Sequence, residues 1–259
     1  MFLLTRFSWG EPQATGGVYL FLAIMRGFFI RILGSGKVWL IISRIIMIKK
    51  LNINALPISF YTRKDVVLIG KELLGKYLYT LVDGEICGGM IVETEAYCGA
   101  TDKACHAHLN KHTKRTEIMY AKGGVAYVYL CYGIHSMFNI VTNEKDWADA
   151  ILIRAISAKT GVETMLERRK MDVLKYNVTA GPGCLTKALA IDRTMNSCKL
   201  NGPQIWVCNQ SVSTGEPSIV LKDADIVCSP RVGIDYAGDD ALLPWRFRIV
   251  GNVWVSRAK

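Results

Sequence analysis

LYTLVDGEICGGMIVETEAY, residues 78–97, is the stretch on which the fold turns. Asp83-Gly84 between two apolar runs is a strong hairpin signal, because the tight two-residue turn needs positive φ at both central positions. It predicts strands over residues 78–82 and 85–97. Side chains two apart on a strand point the same way, so Glu93, Glu95 and Tyr97 share one face of the second strand.

Upstream of it, Thr62 is expected to cap a helix running to Leu74, with Gly75 as its terminator. A polar loop over 99–114 precedes AYVYLCYG at 126–133. There Tyr127 and Tyr129 share a face, and Tyr132 lies on the other, just before a chain-reversing Gly133. Residues 137–142 and 150–156 read as strands. Thr160 and Glu163 form a capping box opening a helix to Arg169, and Pro182 suits the first position of a helix over 183–191. Strands at 204–207, 226–228 and 247–255 complete the chain. The pattern predicts a mixed α/β (α+β) fold: a single domain with a curved, largely antiparallel sheet flanked by short helices.

Half of the 259 residues are hydrophobic and 21% are charged, which excludes a disordered chain. The net charge is +10 and uneven. Within residues 1–50, Arg6, Arg26, Arg31, Lys37, Arg44, Lys49 and Lys50 face Glu11 alone, so the remainder carries a mild excess compatible with a polyanionic partner. The apolar runs 18–24 and 38–48 are too short for a stable membrane span, and no small-residue cleavage site follows them. Three readings stand for residues 1–50: a membrane-surface segment, a targeting segment, or a stretch upstream of a true start at Met47. The eight cysteines form no C-x-x-C pair or regular framework and read as reduced thiols of a cytoplasmic protein. Cys105, His106 and His108 lack a second cluster that would complete a zinc site. No metal or cofactor is expected.

Several residues invite a chemical reading beside a plainer one. Glu95 is either an ordinary strand-face carboxylate or a base for an attacking water, since a glutamate with a pKa of about 4.3 is ionised at neutral pH. His106 is either a solvated loop residue or a ring that stacks and hydrogen-bonds. Tyr127, Tyr129 and Tyr132 either fill a core or grip a flat ring. Stacking of about 1–3 kcal/mol per base would offset much of the few kcal/mol needed to extrude a nucleotide, with Tyr132 as a wedge in the gap. Arg154, in a strand of apolar neighbours, suits a structural ion pair or a catalytic or phosphate contact equally. Gly181-Pro182-Gly183 opens a helix whose free N–H groups could meet a phosphate.

Taken together, ETEAY (93–97), the DKA-CHA run (102–107), RTEIMY (115–120), AYVYLCYG, ILIRA (151–155), GPG-LTKAL (181–189) and RVGIDYAG (231–238) through VWVS (253–256) resemble the alkyladenine (3-methylpurine) DNA glycosylases. The likeness spans residues 56–256 in the family's order and leaves residues 1–50 outside. It implies a monofunctional enzyme of base excision repair that flips alkylated or deaminated purines out of damaged double-stranded DNA and hydrolyses the N-glycosidic bond, acting as a monomer. By resemblance, Glu95 is the general base and Arg154 helps place the water. Tyr97 is one wall of the pocket, with His106 and Tyr129 opposite. His106 also bonds the base edge, Asn139 crowds the amine of normal guanine, and Tyr132 enters the duplex. Single-step hydrolysis fits the lack of an evident lysine nucleophile. Cys184 stands where the family often has lysine, Ala121-Lys122-Gly123-Gly124 replaces a glycine–proline loop, and Val125 a frequent histidine. Those departures bear on DNA affinity. The rival readings are a non-catalytic nucleic-acid binding protein using stacked tyrosines and a hydrolase of free nucleosides. Neither explains both a carboxylate beside the rings and a tyrosine at a turn.

Overall fold

The computed structural model describes residues 55–257 and, ahead of them, the backbone of 21–25 and 28–32. The chain divides into Met1–Ile48 and Lys49–Lys259. In the first unit β1 (Phe21–Met25) and β2 (Phe28–Ile32) pair antiparallel. The readings of residues 1–50 otherwise fall outside the described residues. Among the described residues no helix is long and apolar enough to cross a membrane.

The second unit is a mixed α/β fold around an open antiparallel sheet of eight strands, ordered β5-β6-β7-β4-β10-β9, with β3 and β8 continuing from the first half of β4. Its spine is β4 (Glu85–Tyr97). Along one edge it pairs with β7 (Asp149–Thr160), and along the other first with β3 (Tyr77–Val82) and then with β10 (Arg246–Ile249). The turn behaves as its sequence demands: Asp83 has φ 53° and Gly84 φ 81°, the pair of left-handed residues that matches the twist of the flanking strands. Beyond it, β8 (Ile205–Cys208) pairs with β3, and β9 (Ile226–Ser229) with β10. The tyrosine strand β5 (Ala126–Cys131) and β6 (His135–Thr142) form the second hairpin at the sheet's far edge.

One face of the sheet is apolar. Ala96, Val128, Phe138, Ile140, Ile151, Ile153 and Phe247 are buried there against α2 (Val66–Glu72) and α4 (Pro182–Ala188), through residues such as Ile69, Leu73, Leu185 and Ala188. Gly70 marks the tightest approach, since a Cβ there would lie 3.0 Å from the Phe247 ring. Burying these side chains fully is worth roughly 1.5–3 kcal/mol each for the larger ones, before ordering entropy is deducted.

Several boundaries differ from those the sequence suggested. Thr62 ends a four-residue helix, α1 (Ile58–Tyr61), and Asp65 caps α2 by accepting the Leu68 N–H at 2.9 Å. Thr160 is the last residue of β7, its hydroxyl bonded to Ser213 at 3.0 Å. The helix that follows, α3 (Val162–Arg169), starts from Gly161 at φ 69° with no side-chain cap. The Thr-x-x-Glu pattern is therefore incidental, because the strand ladder already holds Thr160. The expected strand 247–255 stops at Ile249, where a turn with Gly251 at φ 68° begins.

Candidate active site

Strand register assembles the second face. Tyr127 is paired with Asn139, Asn139 with Leu152, Leu152 with Glu95, and Glu95 with Arg246. Directly opposed residues in an antiparallel ladder project to the same side, so these five side chains form one row across the sheet. Residues two places along in each strand, Tyr129, Met137 and Arg154 on one side of the row and Ala150 and Tyr97 on the other, share that face. Loops over 99–121 and 230–242 bring His106, Arg115, Val232 and Tyr236 across it. Between sheet and loops lies a cavity of about 460 Å³ lined by Tyr97, His106, Arg115, Tyr127, Tyr129, Asn139 and Arg154, with Tyr132 at its rim. That volume falls within the usual span for small-molecule sites.

Glu95 sits immediately behind this lining, with no exposed surface. Its Oε2 accepts from the Tyr97 hydroxyl at 2.9 Å. Its Oε1 accepts from the Val232 N–H at 2.9 Å and pairs with Arg154 Nη1 at 3.1 Å. All three partners line the cavity.

Glu93, two residues earlier, accepts four hydrogen bonds. Its Oε1 accepts from Arg154 Nε, Arg246 Nε and the Ser256 hydroxyl, each at 2.8 Å, and Oε2 from the Ser256 N–H at 2.6 Å. Burial alone would raise the Glu93 pKa. Arg154, the Ser256 N–H and Arg246 outweigh it and hold the carboxyl below the usual range. For Arg154 burial favours the neutral form, but Glu95 and Glu93 reverse that and raise its pKa. Of the two roles the sequence left open for Arg154, the ion pair is present, and the same side chain lines the cavity.

The aromatic wall is equally specific. His106 meets Tyr129 edge-on at 4.7 Å between ring centres. Its Nδ1 lies 2.9 Å from the Tyr127 hydroxyl and its Nε2 3.1 Å from Arg115 Nη2. A guanidinium only donates, so Nε2 is the acceptor and the ring proton resides on Nδ1. Burial, then the cations Arg115 and Lys111, depress the His106 pKa to about 4. Burial pushes Tyr127 up to about 12, and burial with the adjacent Glu95 raises Tyr97 well above its ordinary value. Asn139 is buried and donates to the Tyr127 carbonyl at 3.2 Å. Tyr132 is 93% exposed at the tip of the β5–β6 hairpin, with φ 50° followed by Gly133 at 73°.

Other expectations found quieter places. Cys105 gives its S–H to the Ala148 carbonyl at 3.8 Å, and the His106 ring is engaged as above. The α4 helix beginning at Pro182 is seven residues long, and Cys184 accepts from Arg169 at 3.2 Å.

Residue-by-residue reading missed Arg231, Val232, Arg246, Ser256 and Arg115. Arg231 is fully buried, bonded to Asp102, the Ala96 carbonyl and the Asp240 carbonyl, with its guanidinium 4.7 Å from the centre of the Tyr97 ring. It braces that ring from outside the cavity. The signal was an arginine in a glycine-bounded turn, and nothing local tells such a residue from a solvated one.

Comparison with known proteins places the chain among the DNA glycosylases, hydrolases of N-glycosyl bonds in DNA repair. Residues 59–253 match the family model described as methylpurine-DNA glycosylase, and the chain belongs to that family. A relative from Chlamydia felis is 42% identical over 193 residues, covering 74% of this chain and 94% of its own. One from Clostridium perfringens strain 13 is 40% identical over 206 residues, covering 77% and 97%. One from Natranaerobius thermophilus is 39% identical over 197 residues, covering 76% and 96%. All three carry the provisional name 3-methyladenine DNA glycosylase.

Proposed function

We propose that residues 56–256 form a monofunctional glycosylase domain that removes alkylated or deaminated purines, of the 3-methyladenine, 7-methylguanine and hypoxanthine class, from damaged double-stranded DNA. In this reading residues 1–50 are an extension outside the catalytic domain, and the enzyme acts as a monomer in the compartment that holds the DNA. The observation that carries the proposal is the position of Glu95: a buried carboxylate bonded to Tyr97 and Arg154, directly behind a cavity walled by rings.

The chemistry follows from those contacts. The purine swings out of the duplex and enters the cavity between Tyr97 and the His106–Tyr129 side, while Tyr132 fills the gap it leaves. Water attacks the anomeric carbon, Glu95 takes the water's proton, and the electrons of the C1′–N bond leave with the base, giving an abasic sugar. Arg154 holds the Glu95 carboxylate at 3.1 Å and offers a donor to the water oxygen. Oε2 of Glu95 has one partner and a carboxylate oxygen accepts two, so one lone pair remains for that water. The lone pair is covered in the free protein, and the water reaches it once the Tyr97 ring or the Val232 segment shifts. Such contacts commonly tighten only in the complex. A methylated purine is cationic and leaves readily, whereas hypoxanthine needs edge hydrogen bonds, which this reading assigns to His106, while Asn139 crowds the amine of normal guanine.

A pure binder would gain nothing from a desolvated carboxylate facing polyanionic DNA, which disfavours the rival reading. Incubation with duplexes containing 3-methyladenine or hypoxanthine should produce alkali-labile sites at the lesion. Tight lesion binding without strand breaks after alkali would replace this proposal by the binder.

A further inference from the structure

If His106 reads a base with its ring, one of its two ring nitrogens must be available. In the free protein neither is: Nδ1 faces the Tyr127 hydroxyl at 2.9 Å and Nε2 faces Arg115 at 3.1 Å. The same guanidinium lies 4.5 Å from the centre of the Tyr129 ring, in the range of a cation–π contact, and lines the cavity. A flat cation thus stacks on one ring of the pocket and donates to its histidine.

We propose that Arg115 occupies the Tyr129–His106 subsite as a built-in stand-in for the purine and that a lesion base must displace it to bind. This inference rests on the glycosylase reading of the cavity and adds a competitor to it. Arg115 belongs to an exposed stretch of the chain, so its departure requires no unburied core, and outside the pocket its charge is free to meet a phosphate. Departure also frees the histidine. With Arg115 in place Nε2 can only accept. Once it leaves, the Tyr127 hydroxyl can turn and donate to Nδ1, moving the ring proton to Nε2. His106 can then accept from a base N–H or donate to a ring nitrogen or carbonyl, which lets one pocket read lesions with different edges. Burial and the neighbouring cations keep the imidazole neutral, so both tautomers are open to it near pH 7. An undamaged base, with fewer gains on entry, is held out by the same competitor.

The test uses the full chain, free hypoxanthine as probe, and no catalysis. A competitor resident about nine-tenths of the time weakens apparent affinity about tenfold, so Arg115→Ala should bind hypoxanthine about tenfold more tightly than the parent by calorimetry. Arg115→Lys, which keeps the charge and loses the plane, should fall between them. In the parent, the Arg115 Nε–H resonance should leave the Tyr129 ring-current field as hypoxanthine is added. Equal or weaker binding by Arg115→Ala, or an unmoved Arg115 resonance while the purine binds, overturns the proposal. If lesion duplexes are still cleaved by the parent, that outcome removes Arg115 alone. Failure of both proteins to bind purine, with no lesion cleavage, removes the pocket reading as well.

Discussion

The floor of the cavity and its lip are built on opposite terms. At the floor Glu93 and Glu95 have no exposed surface and are held by Arg154, Arg246, Tyr97, Val232 and Ser256. At the lip Tyr132 stands 93% exposed in a left-handed conformation, beside Ile134 at 74%. A group that moves protons must be placed to a few tenths of an ångström, which requires neighbours on every side. In the proposed reading Tyr132 enters the duplex, and its exposure leaves it free to do so. The lip is also strained, since an L-residue pays roughly 1–2 kcal/mol to adopt that backbone region. Even within the floor the two glutamates differ: Glu93 is held by Arg154, Arg246 and Ser256, whereas the three partners of Glu95 all line the cavity.

Four experiments test this contrast. The largest effect belongs to Glu95→Gln, which should retain lesion binding while single-turnover base release falls by about 10²–10⁴-fold, the usual contribution of a positioned base. Equal release by the two proteins would exclude Glu95 from the chemistry. Next, Glu93→Ala leaves Arg154 and Arg246 buried without their shared carboxylate and should lower unfolding stability by about 3–5 kcal/mol in urea titrations. A loss below about 1 kcal/mol would mean that Glu93 is not the anchor of the floor.

The third concerns pH. His106 has a folded pKa of about 4 against an unfolded value near 6.5. Between those values the unfolded chain binds the extra proton, so His106 makes stability rise with pH across about 4 to 6.5 and has no effect above. Glu93, with a lowered folded pKa, adds stability above its unfolded value that is lost as pH falls through the folded one. A proton NMR titration of the His106 ring with a midpoint near 6.5 would refute the depressed pKa. The smallest effect is at the lip. Tyr132→Gly should weaken duplex binding by about 1–3 kcal/mol, the value of one stacked ring, and weaken single-strand binding less, while Tm stays level or rises as the strain is relieved. A clear fall in Tm would show that Tyr132 supports the fold.

How much of this was written in local sequence varies by element. The Asp83-Gly84 hairpin and the full length of β4 were legible because the turn chemistry and the period-two pattern agree. The shared face of Glu93, Glu95 and Tyr97 followed from that alternation, and all three meet at Arg154 or its partner Glu95. The helix starts at Thr62 and Thr160 were misread because a hydroxyl can serve a strand end or a loop as readily as a cap. Arg231, Val232 and Ser256 act on residues more than 100 positions away, a distance at which neither periodicity nor spacing carries information.

Local sequence sets where strands turn, which side chains share a strand face, and which motifs carry the family likeness. Packing of distant segments puts Glu95 behind the lining and not in it, closes Glu93 to solvent, and sets Arg115 against the histidine. Alternation is a property of one strand and is set by backbone geometry. Burial and partnership are properties of the assembled sheet and its covering loops, and they exist only after distant segments have packed.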